Sequence, residues 1–432
     1  MAAAYVSSDD EEEEIGMDEF VALAYASGLI DDVDAATLLG VGRPIAEKKA
    51  PDFQHRNYEK FDLGRLTEDE CWYRFRFKKG DIPRVVNALS LGTEIVTYDR
   101  HVVSSIEAFC LLCRRFSFPV RLCDLVPEFA RPVPTISIVA NHMMEHLDDG
   151  FGHLLTSMDQ TWLSRDNLEN MAAAVAEKDA GFDNCWGFVD GTGRQICRRG
   201  EDQGAYYNGH KRKHILKYQA VMAANGMYAH FFGPIVGSRH NATLLVRSGI
   251  LDQLEQFSFA PDGSPLVIFG DPAYPISQHL QTGFKGAALS AQEMEFNRSM
   301  SAVRISVEWG FKEITTYFAA MDFKNNIGKV LLSPVGKYYK VCAFLQNLRT
   351  ISYGNQTSNY VDMDPPTLEE CTTSNRSRQR KVGKVIYFPQ SWFSNFFQKK
   401  KQMRYGLEEY PYDYLTIQQF QYNTQICSIT FF

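Results

Sequence analysis

From residue 185 to residue 320 the chain alternates short apolar runs with two amphipathic stretches, and that order restricts it to a mixed α/β sheet. WGFVD (186–190) reads as a first strand, and RQICRR (194–199) can continue it as a hairpin. LKYQAVMA (216–223) and MYAHFFGPI (227–235) flank Asn225-Gly226. That dipeptide favours the left-handed backbone of a tight turn, so the two runs are expected to pair as antiparallel strands. HNATLLVRSGILDQLEQF (240–257) carries apolar residues at spacings of three and four and is expected to form one helix. PLVIFGD (265–271) is the next strand, and a long helix is expected from about Ser290 to about Phe318.

Three acids stand at informative places in this pattern. Asp190 and Asp271 each end an apolar run and precede turn residues, which is how a carboxylate is set at the open end of a strand. Glu308, in RISVEWGF (304–311), lies inside the helical stretch. A strand-end acid is commonly a turn or a cap. Three carboxylates arriving from two strand ends and a helix face can also hold a pair of divalent cations. Such a pair offsets charge on both the attacking and the leaving oxygen of a phosphodiester. This is the D-D-E arrangement of RNase H-like nucleases and transposases, for which DNA is the expected substrate.

Composition is that of a folded chain, with 432 residues, 45% hydrophobic and 13% aromatic. No apolar stretch approaches the ~20 residues of a membrane span, and MAAAYVSSDDEEEE lacks the basic start and apolar run of a secretory signal. An intracellular, non-membrane protein is expected. The net charge of −7 is local: the first 20 residues hold eight acids and no base, so the other 412 sum to about +1. Nine cysteines in such a compartment are not expected to form disulfides. Cys110 and Cys113 form a CxxC, but inside an apolar helical pattern with no complementary Cys/His pair, and are read as buried helix cysteines.

The chain divides into an acidic disordered tail (1–16), a linker with a short helix at DEFVALAYASGLI (17–65), a helical segment (66–160), the mixed-sheet core (185–350) and a basic, aromatic extension (355–432). LTEDECWYRFRF opens on a capping box, Thr67 with Glu70, and Asp81 is placed to cap the next helix. SSIEAFCLLCRRFSF, RLCDLVPEFA and PTISIVANHMMEHLDDGFGHLL are three further helices. The tight ARPVPT link makes the last two resemble a helix-turn-helix, the second helix starting at Thr135 or Ser137. DNA contact by this segment and an ordinary bundle packed on the core are both open. The runs SNRSRQRKVGK (374–384) and FQKKKQMR (397–404) fit solvated faces, phosphate contact or a nuclear-import signal.

Four segments carry a family resemblance: GFVDGTGRQICR (187–198), the stretch from YYNGHKRKHILKYQ (206–219) on to GSRHN and SGI (248–250), IFGDPAYP (268–275) and FNRSMSAVRISVEWGFKEI (296–314). They resemble the Harbinger-type DDE transposases and their domesticated, nuclease-like relatives. The resemblance implies an RNase H-like catalytic core with an N-terminal helical, helix-turn-helix-like DNA-binding domain. It implies a metal-dependent DNA endonuclease or transposase, or a catalytically silent DNA-binding or assembly protein on the same fold. The family's catalytic acids fall on Asp190, Asp271 and Glu308. By analogy Asp190 bridges two Mg²⁺ or Mn²⁺ ions, while Asp271 and Glu308 each hold one. The resemblance further implies DNA as partner, a separate Myb-like DNA-binding protein, homo-oligomerisation, and location in the nucleus or also the cytoplasm. Asn241, in GSRHN, stands where relatives commonly carry an acid outside the triad.

The densest basic patch in the core is His210 to Lys217. On a strand, Lys211, Lys213 and Lys217 would share one face and, with Arg212, track a DNA backbone. An edge strand protected by lysine accounts for the charge equally well. Arg304 stands one helical turn before Glu308, placed to pair with it or to reach a phosphate.

Overall fold

Four expected strands and one unexpected one form a mixed sheet: β3 Cys185–Gln195, β5 Lys213–Ala223, β6 Tyr228–Val236 and β7 Val267–Gly270, with β8 Leu280–Thr282 added at the edge. They follow β1 Glu94–Val96 and β2 Val102–Ser104, a small separate hairpin, and β4 Tyr207–Asn208 adds two residues beside the start of β5. The computed structural model describes residues 57–198, 203–322 and 335–372. The acidic tail, the helix expected at 18–30, both basic runs and the final aromatic stretch lie outside the described residues.

Across the sheet the strands run β6, β5, β3, β7, β8. β5 is antiparallel to both β6 and β3, and β7 and β8 follow β3 in parallel. This curled mixed sheet is consistent with an RNase H-like DDE core. The Asn225-Gly226 turn joins β5 to β6 as expected, with Gly226 at φ +80. A Cβ there would also stand 2.0 Å from the Asn355 side chain, which donates to the Gly226 carbonyl.

Two expectations need correction. Asp190-Gly191-Thr192-Gly193 is no turn: β3 runs straight through it, paired with β5 from Gly187–Ala223 to Gln195–Ile215. Glycine is used there for close approach, since a Cβ at Gly191 would press on Asn241 and one at Gly193 on Ile215. The single helix expected over 240–257 is two, Asn241–Ser248 and Ile250–Phe257, broken where Gly249 takes φ +64.

The long helix is Ala291–Tyr317, opened by the capping box of Ser290 and Glu293. A second helix, Val335–Tyr353, is buried along nearly all its length and packs between β6 and the helix Val133–Phe151. Its Arg349 is enclosed by rings, with the guanidinium 3.7 Å from the Tyr317 centroid and 4.7 Å from that of Trp72. Trp72 belongs to the capped helix Glu68–Phe75, so this cation ties the first described helix to the end of the long one.

Helices fill much of residues 66–160, but the β1–β2 hairpin interrupts them, and the helix expected from RLCDLVPEFA is a 3-10 turn, Leu122–Leu125, followed by one helical turn, Val126–Phe129. The capping box of Thr67 and Glu70 forms, while Asp81 is the first helical residue after Gly80 rather than its cap. The helix after ARPVPT begins at Val133, two residues early, because Pro134 fits the first turn, where its missing N–H costs nothing. That helix carries no Lys or Arg. Its buried face meets the Val335–Tyr353 helix, and its acidic end is paired, Asp148 with Lys340 at 3.0 Å. Cys110 and Cys113 are fully buried on the helix Ser105–Ser117, and burial pushes both thiols up, leaving them protonated fillers. Among the described residues no helix is long and apolar enough to cross a membrane.

His230 lies opposite Val221 in the sheet, fully buried, and burial pushes its imidazole down to about 4. Between pH 6.5 and 4 the unfolded chain takes up a proton there that the folded chain refuses. Stability is therefore full above pH 6.5 and falls as pH drops to 4, by roughly 3 kcal/mol from this group. Urea midpoints measured across that range should fall in the parent and fall distinctly less in His230→Gln. Equal pH slopes in the two proteins would show that His230 is not the group responsible.

Candidate active site

The parallel pairing of β3 with β7 ends at Val189 opposite Gly270. The next residues are Asp190 and Asp271, so two acids leave the paired part of adjacent strands together, where strands stand ~4.8 Å apart. Asp190 is thus at an open end after all, created by the shorter neighbour rather than by a turn. Its side chain is 16% exposed, and Oδ1 accepts from the Gly191 N–H at 2.7 Å. Asp271 is held by the turn that follows it: its carboxylate accepts from the Ala273 N–H at 2.8 Å, and its carbonyl accepts from the Tyr274 N–H at 3.1 Å.

The long helix brings Glu308 across from this pair, joined to it by Arg304. One terminal nitrogen of Arg304 stands 3.4 Å from Asp190 Oδ2, the other 3.3 Å from Glu308 Oε1. Burial raises the Asp190 carboxyl above its ordinary range. The charges of Asp271 and Glu308 push it further up, against the Gly191 N–H and Arg304. Asp190 therefore feels both other expected acids, one from the neighbouring strand end and one from a helix face. Among the described residues no three His, Cys, Asp or Glu side chains stand close enough to hold one metal ion together. The spacing between Asp190 and Glu308 is that of a guanidinium.

Tyr274 is a residue that sequence reading missed. Its ring packs against Gly270, at the end of the β3–β7 pairing, and the residue is 1% exposed. Among the described residues the hydroxyl has no hydrogen-bond partner. Burial pushes the phenol well up, and the charges of Asp190 and Asp271 add to that. The available signal was position, an aromatic three residues after a strand-end acid.

The basic patch differs from the expected strand face. Lys211 and Arg212 lie in the turn before β5, with the Lys211 N–H bonded to Asn208 Oδ1 and Arg212 at φ +51. Only Lys213 and Lys217 are on the strand. Lys217 is tied into the fold: its Nζ donates to the Arg239 carbonyl at 2.6 Å and to Asn241 Oδ1 at 3.2 Å. Lys211, by contrast, reaches over Gly193, with Nζ 3.6 Å from where a Cβ would be. Its ammonium is lowered by desolvation and by Arg194, and raised by Asp190. Arg194 itself is spent, stacked 4.4 Å over the Tyr339 ring while donating to the Tyr339 hydroxyl. Asn241 packs on Gly191, beside Asp190, and is a neutral acceptor there for Lys217.

No curated protein and no solved structure matches the chain. Residues 189–347 match a family model described as DDE superfamily endonuclease, a stretch that contains Asp190, Asp271, Arg304 and Glu308. Over its sheet and the two helices that cover it, the chain is similar to DDE superfamily endonucleases, which supports a DDE transposase-type family for this segment.

Proposed function

We propose that the chain cuts DNA phosphodiester bonds as a DDE-type endonuclease or transposase, with Asp190, Asp271 and Glu308 as ligands for two divalent ions. The observation that carries this reading is the register at Val189–Gly270, which sends Asp190 and Asp271 out side by side, with Glu308 facing them. The donor set suits Mg²⁺ or Mn²⁺, which take oxygen ligands. A buried Tyr274 hydroxyl beside the acids, without a partner among the described residues, fits a site built to receive something polar. Bound there, such ions would polarise the phosphate and activate a water or 3′-hydroxyl.

The protein's own groups divide the remaining work. The Gly191 N–H and the Ala273 N–H fix the orientation of the Asp190 and Asp271 carboxylates. Lys211, Arg212 and Lys213 stand exposed in and just after the turn beside the site and would hold the DNA backbone. Lys217 acts indirectly, by fixing Asn241 and the start of its helix. The helices of residues 68–151 take the part of a scaffold, because the helix that follows the ARPVPT turn offers no Lys or Arg. A separate Myb-like protein in the nucleus would then supply target recognition.

Plasmid nicking in Mg²⁺ or Mn²⁺ tests the reading. The parent should nick, and Asp271→Asn should lose at least ~100-fold in rate, since the change removes the charge that balances a divalent ion. DNA affinity and fold should persist. An Asn variant that cuts as well as the parent would contradict the assignment. A parent that never cuts, whichever divalent ion or partner is supplied, would leave the silent DNA-binding alternative in place.

The basic turn gives a separate expectation. Replacing Lys211 and Lys213 by Ala should flatten the salt dependence of DNA affinity by up to ~0.9 log unit per lost contact. Lys217→Ala should leave that slope unchanged and lower thermal stability instead. Equal effects of the three lysines on the slope would restore a continuous DNA-tracking face.

A further inference from the structure

We propose that Arg304 is a resident cation: it occupies the place between Asp190 and Glu308 that a divalent ion takes, and the site exchanges one cation for the other. This rests on the reading that the three acids bind divalent ions.

Arg304 divides its guanidinium between two acids, Asp190 and Glu308, from two elements 114 and four residues away. A structural arginine more often spends its fork on one carboxylate. Arg298, on the same helix, does so with Glu295 in an exposed pair. The two Arg304 contacts, 3.4 and 3.3 Å, are longer than well-formed N–H···O bonds. The guanidinium is thus placed by charge more than clamped by geometry. Two other arginines of the core are held differently. Arg349 is walled by rings, and Arg194 is stacked on Tyr339 and reaches the Phe311 carbonyl. Among the described residues Arg304 is held by carboxylates alone.

Asp190, largely buried and facing the charges of Asp271 and Glu308, needs a positive charge if the fold is to persist without metal. Arg304 supplies it at 19% exposure. It also keeps Asp190 and Glu308 a guanidinium apart, so that no three carboxylates among the described residues can share an ion. When a divalent ion takes both acids, nothing else retains the guanidinium. It is then released on the helix face beside Glu308, a cation available to a phosphate. Arg304 is therefore a positioning residue with two states, an internal counter-ion in the metal-free protein and a phosphate ligand in the loaded one.

Titration of the full chain with Mn²⁺ separates the possibilities, read by calorimetry and by thermal midpoint in EDTA and in MnCl₂. Arg304→Gln removes the internal competitor and should bind Mn²⁺ ~10-fold tighter, a gain of about 1.4 kcal/mol. Its midpoint in EDTA should drop, and Mn²⁺ should restore more stability than it gives the parent. Arg304→Lys should fall between the two, and Arg298→Gln should match the parent. Weaker or unchanged Mn²⁺ affinity in Arg304→Gln would overturn the proposal and assign Arg304 to holding the carboxylates in binding geometry. If neither parent nor variant binds Mn²⁺, the metal-site reading itself fails, and with it this inference. Binding by the variant alone would support the exchange in its strongest form.

Discussion

Everything at the candidate site depends on two parallel strands of unequal length. β7 stops at Gly270 while β3 continues to Gln195, held on its other side by β5. The backbone of Asp190 is therefore fixed by antiparallel pairing, while its parallel neighbour has already turned away at Asp271. A long, rigid strand meeting a short one makes a notch, and both acids line it. The long helix packs across β3 and supplies the third acid from outside the sheet. Positions set by register and by helix packing are stiffer than positions on loops, and metal or phosphate chemistry needs that stiffness.

The second theme is charge. Arginines do different work at three depths of the same structure. Arg349 ties helices together through aromatic faces, Arg194 is locked over Tyr339, and Arg304 balances the acids. Only the last sits where a change of ligand would move it. Asp190 has its carboxyl raised by burial first and by its two acidic neighbours, against the pull of the Gly191 N–H and Arg304.

Much of this was legible in the sequence, and the failures share a cause. The three acids, the Asn225-Gly226 hairpin and the long helix follow from apolar periodicity and from turn and capping chemistry, all of which are local. Gly191 and Gly193 read as a turn because glycine is permissive, yet they serve packing against Asn241 and Ile215, partners that sequence does not reveal. Arg304 was readable as a partner of Glu308, one turn away, but not of Asp190, 114 residues away. Tyr274 gave no periodic signal because its role is tertiary, a ring wedged at the end of a strand pair. Lys211, Lys213 and Lys217 were aligned by parity on a strand that in fact begins only at Lys213.

The notch between β3 and β7 is, on the proposed function, a divalent-cation site. Crystals of the protein soaked in Mn²⁺ and measured for anomalous scattering test it most directly. The account predicts a peak within coordination distance of both Asp190 and Asp271, with the Arg304 guanidinium withdrawn from Asp190. Crystals saturated with Mn²⁺ that show no peak between those two carboxylates, and Arg304 still bridging Asp190 and Glu308, would contradict it.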